Sequence, residues 1–269
     1  MRETVQILKE QVQHFHKITR IARYDQRAAY QSHYLGMVWE VLSPTLQVLI
    51  LYFVFGIRMN GAGSMAEGVP YIVWMLAGVI PWFFISAIII SGANSIYSNV
   101  SLVSRVKFPM SILPSITIFK SLYSYVTMLV ILLGFLFLNH IYPTIYWTQF
   151  FYYFACMCLF LYAVSLLNAT ITILFRDYQL MIGSVMRLLF FVSGAVMDVA
   201  ADPDSLMTKI LKLNPIVYII EGFRDSFFSR QWFFQEPWWT AYFWGMTLFV
   251  LGVGSVLHLR FKDRFVDYL

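Results

Sequence analysis

The chain has 269 residues, of which 59% are apolar, 19% aromatic and only 12% charged, whereas about 25% of the residues in an ordinary soluble domain are charged. This balance excludes a soluble globular protein and predicts a protein that lies in a lipid bilayer. The net charge of +5 is typical of the cytoplasmic side of a membrane protein, where anionic lipid attracts Lys and Arg, and does not require a nucleic-acid partner.

Residues 1–36 differ from the rest of the chain and are predicted to form a cytoplasmic amphipathic interface helix. Apolar residues recur there every three or four positions among Lys, Arg, Gln and His, as expected of a helix that lies in the plane of the membrane interface. These apolar residues are Val5, Leu8, Val12, Phe15, Ile18 and either Ile21 or Ala22. Two interpretations of the helix stay open, a simple surface anchor and a platform for a cytoplasmic partner.

Residues 37–269 are predicted to form one transmembrane domain, so the expected fold class is an all-α integral membrane protein with six transmembrane helices. Residues 68–104 and 121–175 contain no Asp, Glu, Lys or Arg, and each run is longer than the roughly 20 apolar residues that one crossing needs. The second run is expected to fold back at NHIYP, where polar residues and a proline end a helix. The predicted spans are 39–57, 69–93, 112–138, 150–174, 180–197 and 238–259.

The positive residues in the connections predict the orientation. Of the 19 Lys and Arg residues, twelve lie in connections on one side of the predicted membrane and five on the other. Cations close to helix ends resist translocation and stay in the cytoplasm. Both termini are therefore expected to be cytoplasmic.

A short basic segment, LVSRVKFPMSILP, separates the second and third predicted spans. Its two prolines restrain the residues before them from helical geometry, so the segment is predicted to be an elbow at the cytoplasmic surface. Arg105 and Lys107 are expected to point into water or at a partner, and Phe108 beside Pro109 forms a compact apolar knob. A plain connecting loop would explain the cations but not the knob, and both interpretations stay open.

Several motifs of catalysis and energy use are absent from the sequence. There is no Gly-Lys pair, so no phosphate-binding loop of the ATPase kind. No paired carboxylates lie in the predicted spans, which argues against a proton-driven transporter. No cluster of His and carboxylates has metal-ligand spacing, and no nucleophile has a base at helical spacing. We therefore expect no catalytic site and no metal site in this chain.

Five stretches of sequence carry a resemblance that covers nearly the whole chain. They are YQSHYLGMVWEVLSPTLQ, GVPYIVWMLAGVIPWFFIS, NSIYSNVSLVSRVKFPMSILP, FRDYQ and LNPIVYIIEGFRDSF. The chain resembles the membrane permeases of polysaccharide-exporting ATP-binding-cassette transporters, in particular the wall teichoic acid exporters of Gram-positive bacteria. The wider family is indicated by Leu35, Gly36, Trp39 and Pro44, and the teichoic acid subgroup by Tyr34, Glu40, Gln47 and PWFFIS. The segment SGAVMDVAADPDSL departs from the family pattern.

The resemblance implies a homodimer in a bacterial plasma membrane, with two copies of a separate ATPase subunit that binds ATP and Mg. The assembly would move a polymer linked to polyprenyl diphosphate outward. Residues 98–111 would form a coupling elbow seated in the ATPase, and residues 175–178 a second cytoplasmic elbow. The implied coupling residues are Arg105, Val106, Lys107, Phe108, Pro109, Phe175, Arg176 and Asp177, together with Arg23 and Arg27 on the interface helix.

Two cations lie within the predicted spans, and each has two interpretations. Arg187 lies about ten residues beyond Asp177, so at about 1.5 Å per residue it is about 15 Å into the membrane and needs an anion. That partner is either the substrate's diphosphate or a carbonyl or helix end. Lys120 either snorkels to the headgroups or faces an inner vestibule, where it would help to recruit diphosphate.

Aromatic side chains are candidates for the substrate path because sugar rings stack on aromatic faces. Most aromatic residues at these depths pack between helices or form interface belts, so each single one also has a structural interpretation. The candidates are Trp74, Trp82, Phe83, Phe84, Phe119, Tyr123 and Tyr125.

Residues 200–235, between the fifth and sixth spans, contain LNPIVYIIEGF, whose roughly eleven weakly polar residues are too few to cross the membrane. Their length predicts a re-entrant or interfacial segment, and the resemblance implies an extracellular gate hairpin. Candidate gate residues are Pro215, Tyr218, Glu221 and Arg224. Because Glu221 and Arg224 are three positions apart on one helical face, they are expected to pair.

Three classes of function remain. The leading class is the transmembrane, non-catalytic subunit of an ATP-driven exporter of polyprenyl-diphosphate-linked wall teichoic acid, with capsule, O-antigen or drug export as alternatives in the same class. The second class is a secondary transporter, which would follow an ion gradient and have no ATPase partner. The third is an integral membrane enzyme that acts on polyprenyl lipids, which would turn over its substrate alone.

Overall fold

The structure is a computed structural model that describes residues 2–30, 34–36, 38–56, 69–99, 109–196 and 205–262, without the side chains of residues 30, 40, 55 and 56. All regular structure in these ranges is helical. The α-helices are α1 (Arg2–Gln13), α2 (Phe15–Tyr30), α3 (Val38–Leu51), α4 (Tyr71–Ala93), α5 (Leu113–Leu138), α6 (Gln149–Leu174), α7 (Tyr178–Val192), α8 (Leu206–Leu211), α9 (Pro215–Phe228) and α10 (Pro237–Phe261). A π-helical turn, Tyr52–Gly56, continues α3, and short 3-10 turns cover Tyr97–Asn99, Met110–Ile112 and Ile145–Thr148.

Within the described residues, four helical segments are long and apolar enough to cross a membrane, as a multi-pass membrane protein requires. They are Tyr71–Ala93, Met110–Leu138, Ile145–Leu174 and Pro237–Phe261, and they correspond to the second, third, fourth and sixth predicted spans. The first and fifth predicted spans correspond to shorter apolar helices, Val41–Val54 and Tyr178–Val192. The count of six spans therefore stays a prediction.

Helix α4 lies at the centre of the bundle. It packs against α5, α6, α7 and α9, and 83% of its most apolar stretch is buried inside the protein, against 22% for α5 and 28% for α10. Gly92 brings α4 close to α6, since a Cβ added there would clash with the side chain of Ser165. The central helix is thus covered by protein, whereas α5 and α10 leave long apolar faces for lipid.

The amphipathic N-terminal region consists of two helices with a turn at His14, rather than one continuous helix. The predicted apolar stripe divides between two surfaces, since Val5, Leu8, Val12 and Phe15 are exposed while Ile18 and Ala22 are buried against the start of α5. In α1 the buried residue is instead Ile7, because α1 packs on α10 and on the Met110–Ile112 turn. The exposed stripe keeps the spacing of a lipid-facing surface.

Helix α9 is a short buried helix between α4 and α6. It has 14 residues, about 21 Å at 1.5 Å per residue, which is too short for a crossing. Asn214 caps its start by accepting a hydrogen bond from the backbone N–H of Ile216 at 3.0 Å, and Ser229 ends it in the left-handed conformation. All twelve residues from Ile216 to Phe227 are buried.

The bundle has two ends. At one, called the α1–α2 end, α1 and α2 pack beside the start of α5. At the other, called the α9 end, the end of α9 packs beside the connection between α5 and α6, where Thr144 bonds Ser229 at 2.6 Å. The positive-residue count predicts that the α1–α2 end is cytoplasmic, and the described contacts place the predicted gate segment at the opposite end.

Candidate functional site

A polar cleft follows α5 from the α1–α2 end into the bundle. Two adjoining cavities form it, one of about 410 Å³ and one of about 350 Å³, and Ser121 and Ser124 line both. Thr117, Ser121 and Ser124 lie four and three positions apart, so their hydroxyl groups share one face of α5. This hydroxyl face connects the two cavities and makes the cleft the best candidate for a substrate path among the described residues.

The larger cavity, called the polar cavity, lies between α2, the end of α4 and the first half of α5. Asp25 of α2 and Lys120 of α5 both line it. Burial raises the pKa of the Asp25 carboxyl group, and the positive charge of Lys120 opposes this shift. Lys120 therefore lines a cavity that also contains the carboxyl group of Asp25. Of the two predicted locations for Lys120, this one corresponds to the inner vestibule rather than to the headgroups.

The smaller cavity, called the aromatic cavity, lies deeper between α3, α4 and α5. Two predicted path residues, Phe83 and Phe84, line it together with Tyr125. The rings of Phe84 and Tyr125 lie 4.6 Å apart. Trp39 and Gln47 line the same cavity, so residues that carry the sequence resemblance lie beside predicted path residues.

Four other predicted path residues lie away from the cleft. Trp74 and Trp82 are buried in helix packing, with the ring of Trp82 5.7 Å from that of Phe190. Phe119 and Tyr123 line a separate apolar groove against α2. The sequence predicted that these aromatic residues lie within the membrane, but their spacing does not show the direction in which each ring points.

Arg187 lies on the exposed face of α7. Its Nη2 donates a hydrogen bond to the hydroxyl of Ser184 at 3.1 Å. The residues around it on this face, including Leu180, Leu188 and Phe191, are exposed and apolar. Arg187 is thus exposed on a face of α7 that is otherwise apolar. Such a face could contact lipid or an apolar surface of another protein.

A buried arginine, Arg224, connects α9 to α4 and to the backbone after α7. Its Nη1 donates to Glu221 Oε1 at 2.6 Å and to the Gly194 carbonyl at 2.7 Å, and its Nη2 donates to the Ala195 carbonyl at 2.9 Å. The guanidinium carbon lies 3.5 Å from the centre of the Trp74 ring. The predicted pair of Glu221 and Arg224 is confirmed, and the carbonyl acceptors and Trp74 were not anticipated.

The other predicted gate residues also serve packing in α9. Pro215 opens the helix, and the hydroxyl of the buried Tyr218 lies 3.2 Å from that of Tyr152 and 3.1 Å from that of Thr240. Burial raises the pKa of the neighbouring Asp225 to about 7. Gln231 donates a hydrogen bond to Asp225 at 3.0 Å. This bond connects the turn after α9 to the helix through a carboxyl group whose pKa is raised.

The predicted coupling residues fall at the α1–α2 end or outside the described residues. Arg105, Val106, Lys107 and Phe108 lie outside the described residues. Pro109 stands in extended geometry immediately before the Met110–Ile112 turn.

The remaining predicted coupling residues are exposed. Arg23 and Arg27 line a groove of about 420 Å³ along α2. At the second elbow, Phe175, Arg176 and Asp177 are exposed, and the Arg176 guanidinium lies 5.1 Å from the Tyr97 ring. This end of the bundle therefore exposes cations and an apolar side chain.

A polar contact that the sequence did not reveal joins α1 to the residues directly after the predicted coupling elbow. Gln11 Nε2 donates to the Ser111 carbonyl at 3.0 Å and to the Tyr162 hydroxyl at 2.8 Å. The hydroxyl of Ser115 donates to Gln11 Oε1 at 2.7 Å, and that of Ser111 donates to Glu10. Helix α1 is thus hydrogen-bonded to the Met110–Ile112 turn and to the start of α5.

Comparison with known proteins places the chain in a family. It is similar to the O-antigen export system permease protein RfbA of Myxococcus xanthus, with 24% identity over 235 residues that cover 87% of this chain and 88% of the relative. It is also similar to an RfbA of Klebsiella pneumoniae, with 25% identity over 253 residues and 93% of each chain. The profile of the ABC-2 type transporter family matches residues 16–228. Since this match covers most of the chain, the protein belongs to the ABC-2 type transporter family.

Proposed function

We propose that this chain is the membrane-spanning subunit of an ATP-driven exporter that moves polyprenyl-diphosphate-linked wall teichoic acid from the cytoplasmic to the outer face of the plasma membrane. Membership of the ABC-2 family implies a partnership with an ATP-binding subunit, and the sequence contains no Gly-Lys pair for a phosphate-binding loop of its own. The chain is therefore the non-catalytic subunit of an ATP-dependent translocase, and its partner binds ATP and Mg.

The observation that carries this proposal is the polar cleft in a chain of this family. The cleft starts at the α1–α2 end, where the basic groove of α2 and the second elbow are exposed, and its aromatic cavity continues between α3, α4 and α5. Hydroxyl groups and aromatic faces together suit sugar rings, which offer hydroxyl groups at their edges and C–H groups on their faces. Such a lining favours a glycan over a purely apolar drug.

Within the proposed class of polysaccharide exporters, the sequence favours wall teichoic acid as the cargo. Tyr34, Glu40, Gln47 and PWFFIS support the teichoic acid subgroup, and Gln47 lines the aromatic cavity. O-antigen export is the second candidate, because the similar proteins are named for that cargo.

The proposed assembly contains two copies of this chain and two ATPase subunits. The outward faces of α3 and α7 are apolar and would suit a second copy, with Leu49, Ile50, Leu180 and Leu188 among their exposed residues. The ATPase would contact the elbow at 98–111, the second elbow at 175–178 and the α2 groove.

Co-purification tests the proposal most directly. The chain is isolated from its native membrane in mild detergent, and its partners are identified and counted by mass spectrometry. An ATP-binding-cassette ATPase at equal stoichiometry supports the exporter. Isolation of the chain alone, with transport or turnover intact, would contradict it.

The elbow and the cargo need separate measurements on the reconstituted complex. Replacing Phe108 and Pro109 with Ala should leave membrane insertion and ATP hydrolysis intact but abolish ATP-dependent transport in inverted vesicles. Unchanged transport would exclude the elbow as a coupling element. Supplying a lipid-linked polyol phosphate polymer and a lipid-linked neutral polysaccharide in parallel distinguishes teichoic acid from O-antigen as the cargo.

A further inference from the structure

We infer that the polar cavity is a binding site for a neutral glycosyl unit of the exported lipid-linked polymer, and that it recognises the sugar rather than the diphosphate. This inference rests on the proposed function, since it names the part of that substrate which the α1–α2 end of the cleft would hold. The cavity measures about 410 Å³, which is within the range of about 300–1,000 Å³ that small-molecule sites occupy.

The lining of the polar cavity offers many hydrogen-bonding groups that carry no charge. Most of its residues are polar, and they come from α2, α4, the turn after α4, α5 and α7. The uncharged polar lining residues include Asn94, Asn99, Thr117, Ser121 and Gln179. Hydroxyl and amide groups both donate and accept hydrogen bonds, as do the hydroxyl groups of a sugar.

One lining residue has an acceptor that no described residue uses. The Oδ1 atom of Asn94 is buried and has no hydrogen-bond donor among the described residues. A buried polar atom without a partner lowers stability, so such atoms are uncommon in folded proteins. Asn94 lines the polar cavity, and a rotation of its side chain toward the cavity would let a sugar hydroxyl group supply the missing donor.

The charges at the cavity favour a neutral ligand. Its described lining contains one carboxyl group, Asp25, and one ammonium group, Lys120, and the two interact. The cavity also lies beside the C-terminal end of α4 and the N-terminal end of α5, whose helix dipoles have opposite signs there. Diphosphate sites instead bring together several cations or free backbone N–H groups.

The aromatic cavity adjoins the polar cavity and could hold the next sugar unit of the same glycan. Ser121 and Ser124 line both cavities, and Phe83, Phe84 and Tyr125 line the inner one. A glycan could thus hydrogen-bond in the polar cavity while its next unit contacts aromatic rings.

The test measures how two lipids stimulate ATP hydrolysis by the full complex in lipid nanodiscs. One lipid is polyprenyl diphosphate, and the other is polyprenyl diphosphate that carries an N-acetylhexosamine disaccharide. In the parent complex the glycosylated lipid should reach half-maximal stimulation at a lower concentration. Thr117→Val and Asn94→Leu should each raise that concentration by about 2- to 10-fold, as expected for one lost hydrogen bond, and leave the value for the sugar-free lipid unchanged.

Thr127→Val is the matched control. Thr127 and Thr117 lie on the same helix, and their hydroxyls bond the carbonyl four residues earlier at 3.1 and 3.3 Å, but Thr127 lines the separate apolar groove. Thr127→Val should leave the half-maximal concentration unchanged for both lipids. Equal shifts for both lipids, or no shift in either cavity variant, would overturn the sugar site alone. A parent complex that responds to neither lipid would overturn the proposed function and this inference together.

Discussion

Gly78 makes room for the guanidinium group of Arg224. A Cβ added at Gly78 would overlap Arg224 Nη2 and would lie 2.8 Å from the Ala195 carbonyl oxygen. The same nitrogen donates a hydrogen bond to that carbonyl at 2.9 Å. Three groups are therefore in tight contact here: Gly78 of the central helix, Arg224 of α9 and the backbone of Ala195 after α7. A change in the size or position of one would displace the other two.

Gly78→Ala should lower the apparent melting temperature of the purified protein. Overpacking a filled core position typically costs about 1–3 kcal/mol, and each kcal/mol corresponds to about 2–4 °C in a protein of this size. The measurement is thermal unfolding followed by intrinsic tryptophan fluorescence in detergent.

The control for this prediction is Gly134→Ala in α5. A Cβ at Gly134 would meet no atom of the described residues within 4 Å beyond its own helix backbone, so the change should be neutral or slightly stabilising because alanine favours the helix. Equal melting temperatures for the two variants would show that α4 can shift away from Arg224 without loss.

Arg224→Met should destabilise the protein more than the double variant Arg224→Met with Glu221→Gln. The single change leaves the buried Glu221 carboxylate without its closest cation, which lies at 2.6 Å, while Arg230 remains at 3.9 Å. Losing one partner of a buried ion pair typically costs about 3–5 kcal/mol. Neutralising the glutamate should recover part of this loss.

A double-mutant cycle on thermal unfolding measures the coupling between these two residues. Additive effects of the two changes would mean that the carbonyls of Gly194 and Ala195, and not Glu221, provide most of the interaction with Arg224. The chain with Glu221→Gln alone completes the cycle.

Asp225 should make the stability of the protein depend on pH between about 4 and 7. Burial raises the pKa of Asp225 from 3.8 to about 7, so in this range the folded protein binds a proton that the unfolded chain has released. Stability contributed by this group is therefore greatest at low pH, falls as pH rises through the range and becomes constant above about pH 7.

Asp225→Asn should remove this component and flatten the difference in melting temperature between pH 5 and pH 8. The amide can still accept the hydrogen bond from Gln231, so the local structure is kept. Because other groups also titrate, the informative quantity is the difference between the two pH profiles. Parallel profiles would show that the carboxyl group is ionised at neutral pH in the folded state.

The sequence predicted the parts of this fold that depend on long charge-free runs. The predicted span at 69–93 corresponds to Tyr71–Ala93, and that at 150–174 to Gln149–Leu174, because both stretches lie within runs that contain no charged residue. The pairing of Glu221 with Arg224 was also predictable, since residues three apart on a helix are neighbours.

Other features have no signature in the sequence. Arg224 bonds backbone carbonyls about 30 residues earlier in the chain, and a carbonyl is present at every position. Trp74 was predicted to line a path, but an apolar helix gives no periodicity that distinguishes a lining ring from one beneath an arginine. The different packing partners of the two N-terminal helices, α10 for α1 and α5 for α2, also have no signature in the sequence.

Gln11→Leu should loosen the attachment of α1 to the bundle. The change removes the hydrogen bonds of Gln11 to Ser111, Ser115 and Tyr162. Amide hydrogen exchange in residues 2–13 should become faster by about tenfold or more, because α1 then opens without breaking these contacts. Gln13→Leu, at an exposed position of the same helix, should leave exchange unchanged.

Arg187→Ala should reduce export without lowering the melting temperature of the assembled complex. In this chain Arg187 is exposed and donates to Ser184, which is itself exposed, so its removal leaves no buried group without a partner. If it meets the substrate's diphosphate, Arg187→Lys should retain much of the export that Arg187→Ala loses, since a positive charge remains. The measurements are transport into inverted vesicles and thermal unfolding of the same preparation. A lower melting temperature with unchanged transport per folded complex would assign Arg187 to the packing of α7 against another protein surface, and would remove it from the substrate path.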